Sequence, residues 1–504
     1  MSNKNFDVVL VNPGSRRAVY QVLGDEFSAI EPPSLAGLFA TYLRNKGLSV
    51  ALVDAPADNL SPEGAAQVIS EKYFPILIVM VVYGFQPSAS TQNMTAAGET
   101  CRALKEIDPN SKIMMTGTHP AALPERTMKE EAIDFVCDRE GPETILQTLL
   151  ALKAGAKEGD ADFQKIPSLW YWSDRVIMSN APGPLMADLD GEMPAVAWDL
   201  LPMSKYRAHN WHCFEDIHAR QPYASMHTGL GCPFSCTFCC INAPFGKPSY
   251  RLWSPDSVIA QIDTLVNQYG VRNIKFVDEM FVLNRAHVEG ICDHIIARGY
   301  DLNIWAYARI DTIKDGMLEK LKRAGFRWLA LGIESGSDHV RDGVEKGRFG
   351  YEDIIKIVRK TQDAGINVIG NYIFGLPDDT HDSMQETLDL ALECNCEFAN
   401  FYCAMAYPGS KLYSLALEKG WELPDSWIGY SQHSYECHPL RTETLTSAEV
   451  LRFRDSAFIK YFIHPSYLSM VKRKFGDDVV AHIQEMTRFK LKRKILEESS
   501  VRLA

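Results

Sequence analysis

Cys232-Pro-Phe-Ser-Cys236-Thr-Phe-Cys239 decides how this chain is read. The three cysteines stand at C-x₃-C-x₂-C, behind Gly229-Leu-Gly231 and ahead of Cys240. Structural zinc sites take four protein ligands, commonly from C-x₂₋₄-C pairs, and no second pair follows at finger spacing. An iron–sulfur cluster held by protein alone needs a fourth thiolate. Three thiolates in one tight loop therefore point to a [4Fe–4S] cluster with one iron open to an external ligand. The competing reading is three buried cysteines acting as small apolar side chains. Cys240 abuts Cys239 too closely to share such a loop. Cys394, Cys396 and Cys403, at C-x-C-x₆-C near a helix end and a strand, make a poor second site.

The stretches after the loop alternate between strand and helix. Ala224–Gly231 reads as the strand that feeds the loop. Further strands are expected at Asn273–Asp278, Asn303–Ala308, Trp328–Ile333, Asn367–Phe374 and Phe398–Ala404. Helices are expected between them, at 254–266, His287–Arg298, Asp315–Ala324, Tyr351–Ala364 and Thr380–Cys394; the first has a serine before Pro255 and an apolar stripe of Val258, Ile259, Ile262, Leu265 and Val266. Six such units over roughly 190 residues fit a partial (β/α)₆ barrel, since a full eight needs about 250. Barrel chemistry sits at the carboxyl ends of the strands. Those ends carry Asp278-Glu279, Tyr307-Ala-Arg309, Glu334-Ser-Gly336, Gly375-Leu-Pro377 and Tyr407-Pro-Gly-Ser410. The bland alternatives are a structural ion-pair network for Asp278, Glu279 and Arg309, and a plain turn at Gly375.

Before the loop, Phe6–Ser15 opens with a β-branched run, and Pro32–Gly47 places Leu35, Leu38, Phe39, Tyr42 and Leu43 on one helical face. Strands at Ser49–Asp54, Ile76–Tyr83, Lys112–Thr116 and Asp134–Cys137 alternate with helices near 62–73 and 91–107, which means βαβ units and a doubly wound parallel sheet. Ligands of such sheets sit beyond the carboxyl ends of the strands. No G-x-G-x-x-G follows the first strand, so a dinucleotide is not favoured. A small, polar stretch at 152–162 marks a boundary, and 166–179 reads as a hairpin within the linker.

The cysteine spacing, with Phe238 just before the third cysteine, resembles the signature of the radical S-adenosylmethionine (SAM) superfamily. The segment ahead of it resembles the cobalamin-binding domain of B12-dependent radical SAM enzymes. That second likeness rests on the Pro32-Pro helix, Thr116-Gly117-Thr-His119-Pro, Arg139-Glu140-Gly141-Pro-Glu and the lead-in Pro194-Ala-Val-Ala-Trp198-Asp-Leu-Leu-Pro202. The resemblance covers residues 1 to about 415. It implies a cluster on Cys232, Cys236 and Cys239 whose open iron binds the amino and carboxylate groups of SAM, so that one-electron reduction yields a 5′-deoxyadenosyl radical. It implies SAM contacts at Phe238, Asp278, Glu279, Arg309, Glu334 and Gly375. Arg309 would face the SAM carboxylate or a cluster charge, and Glu334 the ribose hydroxyls or amino group. It implies cobalamin contacts at Tyr83, Gly84, Thr116, Gly117, His119, Glu140 and Gly141. The Asp-x-His-x-x-Gly motif of other cobalamin proteins is absent, so His119 is expected to shape its loop rather than ligate cobalt.

The expected organisation is a Rossmann-like cobalamin domain over 1–152, a linker with a hairpin over 153–206, a radical SAM barrel over 207–415 and a mainly helical cap over 416–504. The cap carries Trp421, Trp427, Tyr430, Phe453, Phe458, Tyr461 and Phe462, and two basic runs, Lys472–Lys474 and Lys490–Lys494. Those runs read as solvated helix faces, with an anionic substrate or a membrane surface as the sharper alternative. A net charge of −12 over 504 residues argues against a nucleic-acid surface. The longest apolar run, Tyr73–Phe85, falls short of the roughly 18 residues that span a bilayer. The first residues lack the apolar core of a signal peptide. Twelve cysteines, several clustered, fit metal chemistry in a reducing cytoplasm better than a disulfide scaffold. The implied activity is methylation of an unactivated carbon in a small molecule, with electrons from a flavodoxin- or ferredoxin-type donor. The alternatives are a radical cyclase, rearrangement or oxygen insertion of the anaerobic porphyrin-ring type, and a cobalamin or iron–sulfur sensor without catalysis.

Overall fold

The computed structural model describes residues 5–502 apart from positions 15, 85, 158 and 348; Ser15 and Phe85, the last residues of two of the apolar runs read above, lie outside the described residues. Five apolar runs form the parallel strands β1 Val8–Asn12, β2 Val50–Asp54, β3 Leu77–Val82, β4 Ile113–Gly117 and β5 Phe135–Cys137, and every residue in them is buried. Helices cover both faces of such a sheet, which is why these runs are continuously apolar rather than alternating. The order β2-β1-β3-β4-β5 reverses direction between β1 and β3, opening a crevice at the carboxyl ends. The hairpin assigned to the linker, β6 Leu169–Ser173 and β7 Val176–Ser179, instead extends this sheet to seven strands, with β6 antiparallel to β5. It covers an edge that β5 would otherwise leave unpaired.

The second sheet is a curled, parallel half-barrel. It comprises β8 Tyr223–Met226, β11 Asn273–Phe276, β12 Asn303–Arg309, β13 Phe326–Glu334, β14 Asn367–Phe374 and β15 Phe398–Cys403, with β8 and β15 at its two edges. The first strand ends earlier than the sequence suggests. The Asp278 carboxylate accepts the Thr228 N–H at 2.9 and 3.0 Å and draws the chain out of the sheet. Gly229–Leu230 (β9) then pairs antiparallel with Arg251–Leu252 (β10), bracketing the cysteine loop. The helix Pro255–Tyr269 begins as expected, its Ser254 hydroxyl accepting the Ser257 N–H, and its apolar stripe is buried except at half-buried Val266.

Three contacts seat the first sheet on the mouth of the second. Lys275 on β11 donates to both oxygens of Glu31, at 3.2 and 3.0 Å, inside the protein. Ser225 donates to the Pro32 carbonyl, and the Ser34 hydroxyl lies 3.1 Å from His227 Nδ1. The carboxyl-end crevices of the two sheets therefore face each other. The C-terminal helices close the assembly. Ser447–Phe462 lies along β15, Tyr461 donates to the Cys396 carbonyl, and Trp427 packs edge-on against His119 in the first domain at 4.4 Å. Among the described residues no helix is long and apolar enough to cross a membrane.

Asp54 ends β2 with Asn12 and Tyr206 both donating to it at 2.8 Å, and burial lifts its acidity from 3.8 to about 6. The folded chain thus holds this proton at a pH where the unfolded chain has lost it. Its favourable contribution is complete below the unfolded value and disappears as pH rises through about 6. Asp54→Asn mimics the protonated acid. It should remove ~2–3 kcal/mol of the fall in stability between about pH 4 and pH 7, read as denaturation midpoints across that range.

Candidate functional site

The cysteine loop lies at the mouth of the half-barrel. Cys232 is buried and Cys236 and Cys239 are half-buried. The turn is set by the Cys239 N–H donating to the Cys236 carbonyl at 3.1 Å, and by Thr237 N–H donating to Val344. All three thiols line one cavity of about 1230 Å³. Among the described residues no three His, Cys, Asp or Glu side chains gather as a site for a single metal ion. Three thiols on one cavity are donors of the type that an iron–sulfur cluster takes. Burial pushes the Cys232 thiol up to about 11 and raises Cys239, so loading such a cluster must expel protons.

The opposite wall is made by the ends of β12 and β13. Arg309 donates both Nε and Nη2 to Asp311 at 2.9 Å, lies 4.0 Å over the Phe234 ring, and points Nη1 at Cys236 Sγ, 3.7 Å away. Its Nη2 also reaches the Lys346 carbonyl. Glu334 adopts a left-handed backbone, φ +68°, unusual for a residue with a Cβ, and its carboxylate is paired with buried Lys346. Glu279 lines this cavity, and burial raises its carboxyl to about 7 against the opposing pull of Lys275 and Lys346. Phe238 lines the cavity too, packed against two apolar clusters, one that includes Leu412 and Tyr413 and one that includes Val340.

Two SAM-directed expectations are placed differently. Asp278 is bound to the Thr228 amide and lines the neighbouring cavity, not the one with the cysteines. Gly375 is not among the lining residues, although Ile373 is. Its N–H is held by Asp379 at 2.9 Å, and at φ +81° an added Cβ would sit 2.5 Å from Val450 of the cap, so packing demands this glycine.

A second cavity of about 760 Å³ lies between the two sheets' carboxyl ends. Tyr83, Gly84 and Glu140 line it, with apolar Leu35, Phe39 and Phe245. Tyr83 donates to the Glu140 carbonyl at 2.9 Å, and the Glu140 carboxylate accepts the Met186 N–H and pairs with Arg251 of β10. Gly117 brings the end of β4 hard against β3: a Cβ there would lie 2.1 Å from the Val82 carbonyl oxygen. Thr116 is fully buried, and Gly141 precedes the helix Pro142–Lys153, where a Cβ would press on Phe39 at 3.0 Å. An apolar slot with glycine-pinched strand ends suits a large flat ring. His119 does not face it. Its backbone N–H donates to Ser90 Oγ, its Nδ1 lies 3.2 Å from Thr91 Oγ1, and its ring meets Trp427. Burial lowers this imidazole to about 3, and Thr118 takes the lining position instead. No sequence pattern marked Lys346, buried after the short helix Asp338–Gly343, or Phe245, whereas Leu35 was marked only as one residue of an apolar helical face.

A third cavity, about 1300 Å³, occupies the open side of the half-barrel between β12, β15 and the cap. Gln86, in the loop after β3, lines all three cavities.

Residues 226–391 match the radical SAM superfamily model and residues 20–149 the B12 binding domain model. An uncharacterized methyltransferase of Pyrococcus horikoshii is 28% identical over 92% of this chain and 94% of its own length. The anaerobic magnesium-protoporphyrin IX monomethyl ester cyclase of Cereibacter sphaeroides is 26% identical over 88% of this chain and 68% of its own. In fold, the chain is similar to the radical SAM methyltransferase TsrM of Kitasatospora setae, solved with cobalamin and a [4Fe–4S] cluster. The TM-score is 0.66 at 18% identity, covering 92% of this chain and 90% of that one. The cobalamin-dependent radical enzyme OxsB matches at a TM-score of 0.66 and 16% identity, over 96% and 71%. The two matched models fall on the two facing sheets, one bearing the thiols and the other the glycine-pinched slot, and the chain belongs to the radical SAM superfamily of enzymes, in the branch that carries a B12-binding domain.

Proposed function

We propose that this enzyme methylates an unactivated carbon of a small molecule, in a reducing cytoplasm and with electrons from a flavodoxin- or ferredoxin-type donor. The observation that carries this reading is the meeting of three cavities at Gln86, which brings a thiol-lined site, a flat apolar slot and a substrate-sized chamber to one point. When bound, the cluster and cobalamin supply the electron that cleaves SAM and the carrier for its methyl group. Cys232, Cys236 and Cys239 hold the cluster, and Arg309 offsets negative charge at Cys236. Glu279 takes the amino group of SAM, and Glu334, fixed by Lys346, takes the ribose hydroxyls. Tyr83, Gly84, Glu140 and the Gly117 and Gly141 turns cradle the corrin. The two sheets, clamped mouth to mouth, exclude water from the point where the cavities join.

A second reading, oxidative cyclisation, is favoured by the 26% identity with the porphyrin-ring cyclase over most of this chain. Anaerobic protein reconstituted with iron, sulfide and cobalamin, given SAM and a strong reductant, separates the two by mass spectrometry. Methylation should yield both S-adenosylhomocysteine and 5′-deoxyadenosine, with the latter lost in Cys236→Ala. 5′-Deoxyadenosine without S-adenosylhomocysteine would favour cyclisation.

The raised acidity of Glu279 sets a pH dependence. A bound ammonium needs the carboxylate, so SAM affinity should rise as pH increases through about 7 and level off above it. Glu279→Gln should weaken SAM binding by about tenfold at high pH and abolish the slope, measured by anaerobic equilibrium dialysis. Because His119 faces Trp427, reduced cobalamin on the protein should show an EPR spectrum without nitrogen splitting, unchanged in His119→Ala.

A further inference from the structure

The third cavity continues outward. Leu23, His433, Arg454, Phe458 and Met486 line both it and an outer cavity of about 810 Å³ bounded by Phe489, Lys490 and Leu491. Inward, Tyr307, Tyr402, Tyr407 and Gln432 line both it and the cysteine cavity. A continuous passage thus runs from the cap, past Arg454, to the reaction centre.

The charges along this passage do not cancel at Arg454. Asp455 accepts two bonds from Arg493, at 3.0 Å each, and one from Arg454 Nη1 at 2.8 Å. Arg493 spends its remaining donor on the carbonyls of Gln432 and Ser434. Arg454 Nε donates to the Phe401 carbonyl at 2.7 Å, and among the described residues nothing accepts from its Nη2. Arg454 is 6% exposed and Arg493 3%. Two guanidinium groups and one carboxylate leave one net positive charge inside the protein. A buried charge without a partner is costly, and one unpaired fork arm on a cavity wall is the usual preparation for an oxyanion. Deeper in, the Glu31–Lys275 pair is internally balanced, and the walls are aromatic: Trp211, Trp305, Tyr307 and Tyr402.

We infer that this passage is the substrate site and that it takes a ring-bearing monoanion, its carboxylate on Arg454 and its ring among the aromatic walls that lead to the cysteine cavity. Apart from Lys490, which is exposed at the outer end, one net positive charge faces the passage and matches a carboxylate, whereas a phosphate dianion would exceed it. This assignment rests on the methylase reading for what happens at the inner end, but binding itself needs no turnover.

The test uses the cofactor-loaded enzyme and three probes, naphthoate, naphthamide and naphthyl phosphate, with affinities read by anaerobic calorimetry. Naphthoate should bind wild type at least about tenfold more tightly than either of the others. Arg454→Gln should erase that advantage while leaving naphthamide within about twofold, and Arg454→Lys should keep part of it. If the variants fold poorly, naphthamide binding falls as well, and the wild-type comparison decides alone. Equal binding of acid and amide, tighter phosphate, or no binding of any probe overturns the assignment. Protein that binds naphthoate but forms no S-adenosylhomocysteine from SAM refutes the methylase reading instead.

Discussion

The buried pair of Glu31 and Lys275 is the constraint on which the working geometry depends. Both side chains are buried, and removing either one takes the opposite charge away from the other. Breaking such a pair on one side costs several kcal/mol, about 3–5 in other proteins. Glu31 sits one residue before the Pro32-Pro33 turn that starts the helix Ser34–Asn45, whereas Lys275 projects from β11 into the half-barrel. Their 3.0 Å contact fixes the carboxyl ends of one sheet over those of the other. Everything chemical in the molecule lies in the gap so created. Lys275 also lies 4.9 Å over the Trp305 ring, so the same ammonium shapes the wall of the third cavity.

Around the cysteine loop, positive charge is held where thiolates and a cluster would place negative charge. Arg309 is locked by Asp311 and by Phe234 below its plane, which leaves one nitrogen for Cys236. Lys346 reaches Glu334 and lies 6.0 Å from the Phe238 ring. Because Asp311 and Glu334 compensate these cations before any cofactor arrives, the apo site avoids bare interior charge. The left-handed conformation of Glu334 shows that this compensation is built against a local backbone preference.

Much of this was legible in the sequence because it follows from periodicity and spacing. Continuous apolar runs announced β1 to β4, a serine and a proline opened the helix Pro255–Tyr269, and the three-cysteine loop announced a cluster with an open position. What escaped depends on contacts between distant segments. Trp170 and Tyr171 look like linker residues until they pair with Val136 and Phe135. Gly375 looks like a cofactor turn until Val450, seventy-five positions later, fills the space its side chain would need. His119 stands in the motif that resembles a cobalamin loop, yet a tryptophan from the cap claims its ring. Lys346 carries no local pattern, since one lysine in a polar loop reads as solvated. Gln86 stands three positions beyond the expected strand Ile76–Tyr83, and its place at the junction of three cavities is a property of the folded chain.

The cap links these observations. Its aromatic residues were read as packing, and most are: Tyr461 and Tyr467 bury their rings and donate to the carbonyls of Cys396 and Glu397. Packing alone would be served by apolar side chains along β15. Instead the same helix carries Arg454 and Asp455 on the side that faces the half-barrel's open edge, and the segment after the last long helix returns Arg493 to complete them. An ion cluster that leaves one donor unspent on a cavity wall is better explained by what passes along the channel than by the packing around it. The cap therefore closes the barrel and selects what enters it with the same helix.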